Sequence, residues 1–64
     1  MALKDNVKKF RKEKKMTQEE VANAIGASKT YVGQIEKGEK ENIGIKYAAP
    51  MAKLFNVSIE TLIN

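Results

Sequence analysis

Three observations predict an all-α fold of five short helices. Apolar residues recur at helical spacing in short stripes, and no segment shows the alternation of a half-buried strand. Helix-starting residues stand ahead of the stripes at Thr17, Ser28 and Ser58. Helix-ending residues follow at Gly26, Gly38 and Asn56, the types that accept a left-handed backbone at low cost.

The first helix is expected over about Leu3 to Lys14. Leu3, Val7 and Phe10 form its stripe, and the aliphatic stem of Lys14 closes it. The second begins after Thr17, where Thr17 and Glu20 form a capping-box pattern. Val21, Ala22 and Ile25 are its buried positions, and Gly26 ends it. Only Ala27 separates Gly26 from Ser28, the cap of the third helix. That helix runs to about Lys37 with Tyr31, Val32 and Ile35 as apolar positions. Residues 39–46 lack helical periodicity and read as a loop. The fourth helix is placed from Tyr47 or Ala48 to Phe55, so that Pro50 falls in the first turn, where its missing N–H has no partner to lose. Met51, Ala52, Leu54 and Phe55 are its core positions. Ser58 caps a last helix through Glu60, Leu62 and Ile63.

At 64 residues the chain is one domain, with no internal repeat or linker. Cysteine and histidine are both absent. No disulfide or thiolate–zinc site can brace the fold, and the usual general base and metal ligand are missing. With no glycine-rich phosphate loop either, catalysis, a metal and a cofactor are not expected. The net charge of +4 is uneven. Residues 1–15 carry seven basic and two acidic side chains, +5, and the remainder sums to −1. Such an end suits a polyanion such as nucleic acid, or it is a solvated lysine-rich helix face. Three apolar positions are too few for a membrane-surface helix, and no apolar run approaches a span or a signal peptide. A soluble, cytoplasmic protein is expected, with no membrane partner and no small-molecule ligand.

Two short helices joined by a glycine-containing turn form a helix-turn-helix, here residues 17–38. The spacing inside it is specific. Counted from Gln18 as position one, Ala22 is fifth, where closely crossing helices admit only a small side chain. Gly26 is ninth, in the turn. Val32 and Ile35, fifteenth and eighteenth, pack the second helix of the motif against the first. Met16-Thr17-Gln18-Glu19-Glu20-Val21-Ala22, Ile25-Gly26-Ala27-Ser28 and Ile35-Glu36-Lys37-Gly38 resemble the Cro/repressor-type helix-turn-helix family of phage repressors and bacterial regulators. The likeness extends to Ala52-Lys53-Leu54-Phe55-Asn56-Val57-Ser58-Ile59. Soon after the glycine that ends the third helix the family commonly has a proline, whereas this chain has its proline at 50.

The resemblance implies a compact five-helix, λ-repressor-like DNA-binding domain. It also implies a transcriptional regulator, a repressor acting on a double-stranded operator, with the helix from Ser28 in the major groove. The base-facing positions it implies are Lys29, Thr30 and Gln34, with Ser28 near the backbone and Gly33 leaving room for close approach. Lysine donates to guanine O6 and N7, glutamine pairs bidentately with adenine, and a threonine methyl meets that of thymine. Gln18 corresponds to a phosphate-contacting position at a helix N-terminus. Tyr31 either donates to a phosphate or packs its ring on the second helix, and Lys37, Lys40 and Lys46 are candidates to neutralise flanking phosphates. Arg11 and Glu36 match a pair that forms a buried or half-buried salt bridge in the family, and their role is expected to be structural. Relatives bind paired half-sites, so a homodimer is expected at least on DNA. Ile59, Leu62 and Ile63 either form that two-fold contact, Ile59 and Leu62 first, or close the monomer core. The alternative function is a protein-interaction module of the same fold, an antitoxin or regulatory adaptor.

Overall fold

A computed structural model describes residues 2–64. Five helices follow one another, and no strand occurs among the described residues: α1 (Leu3–Glu13), α2 (Gln18–Ile25), α3 (Lys29–Glu36), α4 (Ile45–Phe55) and α5 (Ile59–Ile63). They enclose one core. Val7 of α1, Val21 of α2, Val32 and Ile35 of α3, Met51 of α4 and Leu62 of α5 are all fully buried in it. Helix α3 packs on α1 and α2, while α4 packs on α2 and α5. The pair α2–α3 is thereby braced from behind and left open in front. None of the described helices is long and apolar enough to cross a membrane.

The expected caps form. Thr17 Oγ1 accepts from the Glu20 amide at 3.1 Å, and Glu20 Oε1 accepts from the Thr17 amide at 2.8 Å, closing the capping box. Ser28 and Ser58 cap α3 and α5 through the Tyr31 and Thr61 amides. Gly26, Gly38 and Asn56 take the left-handed conformation. A further left-handed residue is Lys15, at φ 56°. There the Met16 amide reaches back to Arg11 O and the Lys15 amide to Lys12 O, which closes the end of α1 in the same way as the glycines close theirs. Lys14 is accordingly a cap rather than part of the stripe, and its side chain is exposed.

Helix α4 corrects the expected boundary. It starts at Ile45, one half-turn earlier than Tyr47, and Gly44 O takes the Tyr47 and Ala48 amides at 3.0 and 2.9 Å. Pro50 lies inside the helix. The added residues carry no periodic signal because they face outward: Ile45 is 68% exposed and Lys46 is exposed. The residue four before Pro50 is this exposed Lys46, so water can satisfy the carbonyl that the proline cannot.

One polar residue sits in the core. Asn6 is 5% exposed and its Nδ2 donates to Leu62 O at 2.9 Å and Thr61 O at 3.1 Å. These carbonyls belong to the last turn of α5, where helix geometry supplies no N–H donors to them. Asn6 thus fastens a five-residue helix, too short to stand alone, onto α1. Asn6→Ala should cost about 1–3 kcal/mol by leaving buried carbonyls unpaired. The midpoint of a thermal melt should fall by roughly 5 °C or more.

Candidate nucleic-acid interface

The two helices of the motif meet through their small and apolar positions. Ala22, Val21 and Ile25 of α2 face Val32 and Ile35 of α3 within the core. What remains on the outer side is a shallow open depression. Its floor and walls are Gln18, Lys29, Thr30, Gly33, Gln34 and Lys37, with Glu39 at one end. Six of the nine residues expected to face DNA are therefore brought together in one concave surface. Lys29, Thr30 and Lys37 are exposed, and Gly33 and Gln34 are half-buried along the same helix. Ser28 lies at the N-terminal end of α3. Its Oγ accepts from the Tyr31 amide, which leaves the hydroxyl proton free to donate.

Gly33 sets the depth. A Cβ built on it would come no nearer than 3.7 Å, to Gln18 Oε1, which is ordinary contact. The absence of a side chain is thus not forced by packing. Gly33→Ala should stabilise the fold by about 0.5–1 kcal/mol, the usual helix-interior cost of glycine. The melting midpoint should rise by a few degrees, whereas Gly33→Leu should fill the depression and abolish DNA binding without unfolding the protein. Paired melting and binding measurements on the two variants check this.

Tyr31 and Lys40 belong to a second group beside the first. The Tyr31 ring tilts against Tyr47 at the start of α4, centroids 4.8 Å apart, so its main aromatic partner is α4. Burial raises the Tyr31 phenol above its usual pKa, and the neighbouring Tyr47 adds to this. Lys40 Nζ lies 5.9 Å from the Tyr31 centroid, and Lys46 Nζ lies 5.6 Å from that of Tyr47. Two cations thus flank an aromatic pair at one edge of α3. Tyr47 escaped the sequence reading because it stood next to the misplaced start of α4. Glu39, an acidic side chain in a cationic surface, also escaped it.

Behind the depression, Arg11 and Glu36 form a bidentate pair. Arg11 Nε donates to Glu36 Oε2 at 2.6 Å and Nη2 to Oε1 at 3.1 Å, while Nη1 donates to Met16 O at 2.9 Å. The side chains are 14% and 5% exposed. The hydrogen bond to Glu36 raises the Arg11 pKa, burial opposes it, and Coulomb attraction to Glu36 adds to the rise. The pair locks α1 to α3, the structural role expected of it.

At the C-terminus, Leu62 is 0% exposed and closes the monomer core, so it is not available to a second copy. Ile59 is half-buried against the core, and Ile63 is 45% exposed.

A braced helix pair with an open outer face that carries Lys29 and Lys37 defines a λ-repressor-like helix-turn-helix domain. A family model described as helix-turn-helix matches residues 7–62, and the chain belongs to that family. It is 33% identical over 58 residues to the HTH-type transcriptional regulator SinR of Bacillus licheniformis. That match covers 91% of this chain and 52% of SinR, so the chain spans about half the length of this relative. A crystal structure of SinR, the master regulator for biofilm formation, in complex with DNA superposes with a TM-score of 0.85 at 30% identity, covering 94% of this chain and 98% of that one. The P22 c2 repressor, in complex with a synthetic operator, has a TM-score of 0.91 at 22% identity over 100% of this chain and 96% of that one, a likeness of fold.

Proposed function

We propose that residues 1–64 act as one DNA-binding unit of a cytoplasmic transcriptional regulator, a repressor, that recognises a specific double-stranded operator through α3. The observation that carries this is the depression that joins the start of α2 to the outer face of α3. A helix is about 10–12 Å across with its side chains and fits the roughly 12 Å major groove. With α3 seated there, Lys29 donates to guanine, Gln34 pairs with adenine, and the Thr30 methyl meets thymine. The backbone amides of Gln18 and Glu19 at the α2 N-terminus and the Ser28 hydroxyl face one phosphate run, and Lys37, Lys40 and Lys46 face another. One such helix reads only a few base pairs, so a homodimer on half-sites one DNA turn apart completes the operator. With Leu62 inside the monomer, that contact falls to Ile63 and the exposed side of Ile59.

Selection of bound duplexes from a random pool, followed by titration at several salt concentrations, tests the reading. A selected half-site sequence is expected, with log affinity falling by about 0.9 per phosphate neutralised for each log unit of salt. Equal, weak binding to all duplexes would instead favour a protein-interaction module. Sedimentation of the complex should show two chains per operator, and Ile63→Lys should reduce it to one.

A further inference from the structure

The Gln18 amide is tied down on its inner side. Its Nε2 donates to Glu36 Oε1 at 3.2 Å, the oxygen that also accepts from Arg11. A carboxylate only accepts hydrogen bonds, so the amide can face it with its nitrogen alone. A flipped amide would set two oxygens against each other. The Gln18 carbonyl is the opposite end of that amide, and its Oε1 lies 3.7 Å from where a Cβ on Gly33 would stand, in the lining of the depression. No donor in the fold is bonded to it, and it is not a buried unpartnered atom. The Arg11–Glu36 pair thus fixes an acceptor on the floor of the depression.

We infer that Gln18 determines specificity as this fixed acceptor and that Glu36 is its positioning residue. The inference rests on the depression meeting the major groove. There an acceptor favours an exocyclic amino group, adenine N6 or cytosine N4, and is repelled by guanine O6 or thymine O4. The resulting preference separates amino from keto bases on one strand. It is neither a purine–pyrimidine nor an A·T–G·C preference. Phosphate oxygens, being acceptors, can engage Gln18 only through the second proton of Nε2.

The test is random-pool selection with the wild type, Gln18→Met, and the double variant Arg11→Met/Glu36→Leu, which replaces the buried pair with apolar side chains. The wild type should accept adenine or cytosine and reject guanine or thymine at one half-site position. Gln18→Met should lose about fivefold discrimination there and nowhere else. The double variant should lose the same preference, and adding Gln18→Met to it should change nothing further. An unchanged position in Gln18→Met, a lost preference that divides the bases otherwise, or a double variant that selects like the wild type would overturn the inference. In the free protein, one Gln18 side-chain amide proton should exchange more slowly than those of Gln34. Equal exchange would overturn the role of Glu36 even where the double variant fails to fold. A wild-type pool that stays unselected would remove the DNA-binding reading, and this inference with it.

Discussion

Arg11→Met and Glu36→Leu should each lower stability by about 3–5 kcal/mol, while the double variant should be close to the wild type. Each single change strands a charge that folding has almost withdrawn from water, with side chains 14% and 5% exposed. In Arg11→Met, Glu36 keeps only the Gln18 amide at 3.2 Å. In Glu36→Leu, the guanidinium keeps only Met16 O. A domain of 64 residues has roughly 3–10 kcal/mol of stability in all, so either single variant should be largely unfolded near physiological temperature. The double variant removes both desolvation costs together with the attraction, and apolar side chains of similar volume can refill the space. Urea or thermal melts of the three variants and the wild type give the cycle. Additive losses would mean that the two residues do not act as a pair.

The parts of this fold that were legible in the sequence are those where one residue type has one physical use. Thr17 with Glu20, Ser28, Gly26, Gly38 and Asn56 mark helix ends because few side chains supply a capping oxygen or tolerate the left-handed backbone. Ala22 and the Val32–Ile35 spacing marked the helix crossing in the same way. Where a side chain has several uses, the reading failed. Ile45 is apolar yet faces solvent, so the first turn of α4 left no stripe. Lys15 takes a backbone conformation that its side chain does not advertise. Leu62 is apolar at a terminus, which fits a core and an interface equally until α5 is seen against α1. Asn6 left a signal: it stands three residues after Leu3, on the buried side of α1, where an apolar residue was due.

The candidate site was legible for a related reason. Once the core positions of α3 are assigned, few of its residues remain to face outward, and Lys29, Thr30, Gly33, Gln34 and, just past its end, Lys37 line the depression together with Gln18. What the sequence could not contain was the tie between Gln18 and Glu36, eighteen residues apart, because it depends on how closely α2 crosses α3.

Replacing Lys29 or Gln34 by Ala should each remove about 1–3 kcal/mol of discrimination at one base pair of the operator, five- to more than a hundredfold. Neither replacement should lower the melting midpoint appreciably, because neither side chain is part of the buried core or of a side-chain hydrogen bond found in the fold. Lys37→Ala and Lys40→Ala should behave differently. Each should weaken binding to all sequences alike and flatten the salt dependence by about one phosphate, since a backbone contact carries charge but no base identity. The contrast separates reading from holding within a single surface. Quantitative competition of each variant against every single-base substitution of the selected operator measures both quantities at once. Lys29 and Gln34 variants whose loss is spread evenly over all positions would place α3 outside the groove and reduce its cations to a general field. A loss confined to one position per residue would fix the register of α3 on the duplex, since the two residues are five positions apart on a helix that rises about 1.5 Å per residue. Their base pairs should then lie about two apart, because 7.5 Å along α3 is roughly two steps of 3.4 Å along the DNA.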